Sequence, residues 1–176
     1  MNLQAKKLQI GDEVNIREFE KRDFAAVKEI YQQGIDTGHA TFQQHAKNWQ
    51  EWDNSMLATC RIVAEDQSQI LGWAGLSPVS SRKVYSGVAE VSVYVLASAT
   101  GKGLGHALLS NLITTSENHN IWMLQAGIFP ENVESIALHK KNGFRQLGIR
   151  EKLGKMNNQW RDVVLLERRS KVAGLM

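Results

Sequence analysis

A single cysteine, Cys60, stands among 176 residues, so no disulfide can close within the chain and no cysteine-rich metal site can be built. That scarcity suits a reducing compartment, and a cytoplasmic protein is expected. No apolar stretch approaches the ~20 residues that span a bilayer. MNLQAKKLQIGDEV, at the start, lacks the apolar centre of a secretory signal, so no membrane partner is expected. Charge of one sign is scarce as well. Twenty-one lysines and arginines against 18 acids leave a formal +3, with no basic run to track a phosphate backbone, and no nucleic-acid partner is expected. The five histidines never fall at H-x-x-x-H spacing, which argues against a catalytic metal. Repeats, low-complexity segments and Pro/Ser linkers are missing too. The chain therefore reads as one domain, residues 13–170, between a flexible N-terminal tail (1–12) and a C-terminal tail (171–176).

What is present is an ordinary globular composition, 43% hydrophobic and 22% charged, enough for one sizeable core. VNIREF (14–19) alternates as a half-buried strand does. Asp23 can cap a helix with Phe24, Val27, Ile30 and Tyr31 on one face, ending at Gly34. A second helix is expected over 46–59. Residues 60–65 and 70–76 flank DQSQ as a hairpin, and a longer strand covers 88–96. A helix with Leu104, Leu108, Leu109 and Leu112 follows, then a short apolar strand (121–126), a helix over 132–142 stopped by Gly143, and final strands at 145–150 and 163–166 joined through KLGKMNNQW. The order β-α-α-β-β-β-α-β-α-β-β predicts a mixed sheet covered by helices.

Between the 88–96 strand and the next helix lies Gly101-Lys102-Gly103-Leu104-Gly105. Glycine has the most backbone freedom to lose and is a poor helix opener for stability alone. A strand, a glycine-rich turn and a helix N-terminus do make an anion site, because unpaired N–H groups and the helix dipole face outward while missing side chains let phosphate approach. A P-loop would need Ser or Thr after Gly-Lys, and here Gly103 follows Lys102. A dinucleotide fingerprint needs a third glycine where His106 or Leu108 stands.

The turn resembles instead the pyrophosphate-binding turn of the GNAT superfamily of acetyl-CoA-dependent N-acetyltransferases, Arg/Gln-x-x-Gly-x-Gly/Ala, with Thr100 in the first place. The resemblance extends from Val14 to about Arg169. Within the superfamily the chain is similar to the phosphinothricin and methionine sulfoximine N-acetyltransferase branch, through ATFQ (40–43), AEVSVYV (89–95), NVESIALHKKNGF (132–144) and WRDVVLLER (160–168). It implies an α/β (α+β) fold with a mixed, mostly antiparallel sheet, splayed in the middle and flanked by helices. Acetyl-CoA is then the co-substrate. The diphosphate is expected at Gly101, Lys102, Gly103, Leu104, Gly105 and His106, and the pantetheine along the main chain of Val93, Tyr94 and Val95. Asn132, as an amide contact to CoA and a helix cap, and Ser135 complete the expected cofactor set.

Acetyl transfer to an aliphatic amine needs a base, since the amine is mostly protonated near pH 7. If Val91, Val93 and Val95 form one face of their strand, Glu90, Ser92 and Tyr94 share the other. The resemblance implies that Glu90 is the general base. His139, whose unperturbed pKa is near ~6.5, is implied either to protonate the departing sulfur or to share the base role. Cys60 opens an apolar strand without a neighbouring histidine and reads as a buried structural thiol; the resemblance implies that the transfer is direct.

The branch pattern P-F-R-x-R-x-A-Y appears here as Pro78-Val79-Ser80-Ser81-Arg82-Lys83-Val84-Tyr85, with the first arginine replaced by Ser80. Arg82 suits a carboxylate through its planar fork. Thr41, Phe42, Ser80, Arg82, Tyr85 and Ser92 form the expected acceptor-binding set. The expected reaction is acetylation of the α-amine of a small amino acid or amino-acid analogue, and the resemblance implies a homodimer. A protein N-terminus as acceptor, or a non-catalytic acyl-CoA-binding module, stay open as alternatives.

Overall fold

The computed structural model describes residues 14–175; the expected tail at 1–12 lies outside them. The elements run β1 (Asn15–Glu18), α1 (Phe24–Asp36), α2 (Trp49–Ser55), β2 (Ile62–Asp66), β3 (Gln69–Pro78), β4 (Val88–Val95), α3 (Leu104–Asn118), β5 (Met123–Ile128), α4 (Val133–Lys141), β6 (Arg145–Met156) and β7 (Gln159–Arg169). Their order is the one the hydrophobic periodicity predicts. All seven strands form one sheet, β1-β2-β3-β4-β5-β7-β6, in which every pairing is antiparallel except β4 with β5.

Alternation along the strands places a core on each face. Ile62, Ala64, Ala74 and Leu76 point to the side covered by α3, whose Leu104, Leu108, Leu109 and Leu112 are buried there. Val63 and Trp73 point the other way, against Val27 and Ile30 of α1 and Trp52 of α2. α1 does not stop at Gly34 as expected but continues to Asp36. The glycine serves packing: a Cβ there would sit 2.6 Å from the Tyr94 ring. The main chain turns instead at Gly38, where φ is +73°.

Two further expectations need correction. β6 is twice and β7 nearly three times as long as predicted, and the two are closed by Asn157 and Asn158, with φ of 49° and 62°. Such a two-residue turn matches the twist of paired strands, and asparagine tolerates the left-handed region. The sequence signal was weak because β6 is an exposed edge strand with no buried face to make its residues alternate. The segment after Arg169, read as a tail from residue 171, folds back onto the domain. The Arg169 guanidinium donates to the carbonyls of Trp122, Ser170, Ala173 and Gly174, and Ala173 is 6% exposed. Among the described residues, no helix is long and apolar enough to cross a membrane.

Candidate active site

β4 and β5 are paired only over Val88–Met123, Ala89–Leu124 and Glu90–Gln125, and then part. Beyond the fork, β4 stays paired with β3 through Val95, and β5 with β7 through Ile128. Each therefore presents a free edge to the gap. Glu90 stands in the last pair before the split, and the Gln125 amide donates to its Oε2 at 2.9 Å. Val91, Val93 and Val95 pack against the α3 core, as the alternation predicts. On the other face Tyr94 stacks on Trp73 (centroids 5.1 Å apart) and meets Tyr31 edge-on at 4.8 Å. Burial pushes the Tyr94 phenol well above its ordinary value, so its side chain is a neutral aromatic wall.

A cavity of about 1060 Å³ runs through the gap. That is room for a cofactor-sized ligand and a small acceptor together. One end is the start of α3. Gly103 holds φ of +89°, and no side chain caps the helix. The first i-to-i−4 bond is made by Ala107 to the Gly103 carbonyl, so the N–H groups of Leu104, Gly105 and His106 precede the helical ladder. Left-handed backbone at Gly101 and Gly103, where only glycine is unstrained, aims them into the open. The gap and this bare helix end fit an extended pantetheine and its diphosphate. Acetyl-CoA supplies an acetyl group activated as a thioester.

α4 closes one side. Asn132 caps it by accepting from Ser135 N–H at 3.2 Å, and its amide donates to the His39 carbonyl at 3.3 Å. One helical turn after Ser135, His139 is 4% exposed, its ring edge-on to Phe144. Its Nδ1 lies 2.8 Å from the Ser135 carbonyl. A carbonyl only accepts, so Nδ1 carries the proton and Nε2 offers a lone pair; Nε2 is buried without a partner. Burial lowers the pKa of His139 below its ordinary value, keeping the ring neutral.

The segment from α1 to α2 closes the opposite side. Thr41 and Phe42 line the cavity, and Phe42 meets Phe129 edge-on at 4.8 Å with its ring over Gly154. Thus the fold brings together Glu90, His139, Ser92, Val93, Tyr94, Val95, Gly101, Gly103, Leu104, Gly105, His106, Asn132, Ser135, Thr41 and Phe42 around one cavity. Lys102 sits on the turn but outside the cavity lining. Ser80, Arg82 and Tyr85 are not brought in either. They occupy an exposed loop after β3, with the Arg82 guanidinium 5.5 Å above the Tyr85 ring and Ser80 Oγ accepting from the Arg82 N–H. Arg82 is held on the loop itself, over the exposed Tyr85 ring, and no buried acceptor among the described residues draws it inward.

Sequence reasoning missed Gln125, Tyr31, Trp73 and Arg161. Gln125 had a signal, as the lone amide in the apolar run IWMLQA. Cys60 is buried, with its thiol pushed up by burial, which suits a structural role. No group of three or more potential metal ligands occurs among the described residues.

Residues 16–165 match the family model described as an acetyltransferase (GNAT) domain. A phosphinothricin N-acetyltransferase from Alcaligenes faecalis is 31% identical over 156 residues, covering 83% of this chain and 77% of that protein. An L-methionine sulfoximine/L-methionine sulfone acetyltransferase from Salmonella typhimurium is 29% identical over 160 residues, 88% of this chain and 93% of the other. The crystal structure of a GNAT superfamily phosphinothricin acetyltransferase from Sinorhizobium meliloti in complex with acetyl-CoA superposes with a TM-score of 0.82 at 26% identity, covering 92% of this chain and 90% of that one.

Proposed function

The chain belongs to the GNAT acetyltransferase family and is an acetyl-CoA-dependent N-acetyltransferase, and from that premise we propose that its acceptor is the α-amine of a small amino acid or amino-acid analogue. The observation that carries the proposal is the position of Glu90 at the fork of β4 and β5. A carboxylate held there by Gln125 faces the opening where an amine must approach, in the cavity whose far end is the bare helix start.

Glu90 takes the proton from the ammonium, directly or through a water. Main-chain N–H groups on the free edge of β4, over Val93, Tyr94 and Val95, polarise the acyl carbonyl. The N–H groups at the start of α3 hold the diphosphate, with Asn132 and Ser135 at the start of α4 on the other side of the cleft. Of the two roles implied for His139, the geometry supports the acceptor: with Nδ1–H bound to Ser135, Nε2 takes a proton and has none to give. The transfer is direct, since Cys60 is an inaccessible thiol. Thr41, Phe42 and Ser92 line the acceptor end.

The relatives named for phosphinothricin and methionine sulfoximine support an amino-acid-like acceptor. A homodimer is supported by Leu147, Ile149 and Leu153, all exposed on the edge strand β6. A cytoplasmic setting suits the free thiol.

The test is release of free thiol from acetyl-CoA across the amino acids, methionine sulfoximine, phosphinothricin and short peptides with free N-termini. Turnover on at least one amino-acid amine, above that on peptides, is expected. Release with peptides alone would move the acceptor to a protein N-terminus, and no release with any amine would leave an acyl-CoA-binding module.

A further inference from the structure

Arg161, on β7, is a cation with no part in the chemistry above, yet its side chain is only 12% exposed. Its guanidinium donates to the Gly38 carbonyl at 3.1 Å, to His39 Nδ1 at 3.2 Å and to Glu131 Oε2 at 3.2 Å, and its centre lies 4.0 Å from the Phe129 ring centroid. Since a guanidinium only donates, His39 Nδ1 is the acceptor and the ring carries its proton on Nε2. These contacts join two segments distant in sequence. Gly38 and His39 begin the connection from α1 to α2 that carries Thr41 and Phe42, while Phe129 and Glu131 form the corner between β5 and α4. A second tie runs in parallel, from the Asn132 amide to the His39 carbonyl. Two successive carbonyls are thereby pinned, one from β7 and one from the cap of α4.

We propose that Arg161 is a positioning residue for the acceptor: it clamps the Gly38–Phe42 segment against the β5–α4 corner and so sets the wall that the amine substrate meets. The planar fork suits the task because it spans a carbonyl, an imidazole and a carboxylate at fixed angles. The rest of the segment has its own ties, since Thr41 hydrogen-bonds with Tyr31 and Tyr94 and Phe42 packs over Gly154, so Arg161 acts on its Gly38–His39 start. Phe42 touches Phe129, itself beneath the guanidinium, so the ring and the cation brace the same corner. A wall that drifts by about 1 Å costs an enzyme as much as ~100-fold in rate when it misplaces a reacting group. The diphosphate end at the start of α3 makes no contact with Arg161, and Asn132 keeps its own cap on α4 through the Ser135 N–H, so cofactor binding stays largely unaffected.

The inference rests on the acceptor lying beside Thr41 and Phe42, and two readouts keep the two failures apart. In Arg161→Met, amide hydrogen exchange over residues 40–46 should speed up about tenfold or more, whatever the amine, because opening of a locally held segment sets the rate. With the best amine from the panel, its KM should rise about tenfold while the KM for acetyl-CoA changes less than about twofold. A double-mutant cycle with Phe42→Ala should be non-additive in kcat/KM for the amine, since both act on one wall. Unchanged exchange, or equal rises in both KM values, overturns the proposal. If Arg161→Met does not accumulate folded, His39→Ala removes one contact alone and should move exchange and amine KM the same way by a smaller factor; no movement in either would equally overturn it.

Discussion

Glu90 and Gln125 show how one register position defines a site. The two are opposite each other in the only parallel pair among the described strands, and one residue further on these strands are no longer paired with each other. The alternation of AEVSVYV makes Glu90 stand out in the sequence, since a charged residue on a strand between Ala89 and Val91 needs a reason to be there. Gln125 carries a weaker mark, as the lone amide in an apolar run, and its meaning comes from a partner 35 residues away. If Glu90 is the base, Glu90→Gln keeps the hydrogen-bonding shape and removes the proton acceptor. Turnover is expected to fall about 100-fold or more, with the KM for acetyl-CoA within about twofold. Steady-state kinetics on both substrates checks it, and a parallel loss of acetyl-CoA affinity would make Glu90 a scaffold residue. The same scale explains the misplaced Arg82. A motif shows which side chain is suited to a carboxylate, but whether the loop turns it inward depends on contacts that the motif does not contain.

Helices and strands were legible where one face is buried and the pattern repeats. The start of α3 was legible for a different reason: its glycines make poor sense as helix formers and good sense as bare backbone. The structure gives the backbone its cause, with φ of +77° at Gly101 and +89° at Gly103. Gly103→Ala therefore forces an L side chain into the left-handed region, at about 1–2 kcal/mol, or a few degrees in Tm for a chain of this size. It also places a methyl group beside the N–H groups of Leu104, Gly105 and His106. The KM for acetyl-CoA is expected to rise about tenfold, one lost charge-assisted hydrogen bond's worth, while the amine KM stays nearly constant. Thermal melting and initial rates separate the two effects. A lower Tm with an unchanged acetyl-CoA KM would mean that the turn binds no diphosphate. β6 and β7 mark the limit of pattern reading at this scale, for an edge strand with both faces wet has no reason to alternate, and its length is set by the Asn157–Asn158 turn and by pairing with β7.

Across the whole molecule, groups with displaced protonation, three of them at the cavity (His139, Tyr31 and Tyr94) and two away from it (Asp23 and Cys60), bound the pH range of stability from both sides. On the acid side, burial lowers the pKa of His139 from 6.5, so the unfolded chain binds the proton first. Its contribution is whole above 6.5 and is lost as pH falls below that value towards the folded one. Asp23 adds a second loss further down. Hydrogen bonds from Arg17 hold its carboxyl below 3.8, so its contribution is present above 3.8 and disappears as pH falls through the folded value. On the alkaline side the sign reverses. Burial raises Cys60 above 9.0, and Tyr31 and Tyr94 above 10.0, so the folded state keeps protons that the unfolded chain gives up, and stability declines as pH rises past 9.0. The expected profile is a plateau between about pH 6.5 and 9 with a shoulder on each side, read from urea midpoints at constant ionic strength. His139→Phe, which fills the site without a titrating group, should remove the decline that begins at 6.5 and leave the alkaline one intact. A wild-type midpoint that stays flat from pH 7 down to pH 5 would contradict a buried neutral imidazole. It would also remove the basis for treating Nε2 as a proton acceptor, because that role and this pH profile depend on the same uncharged ring.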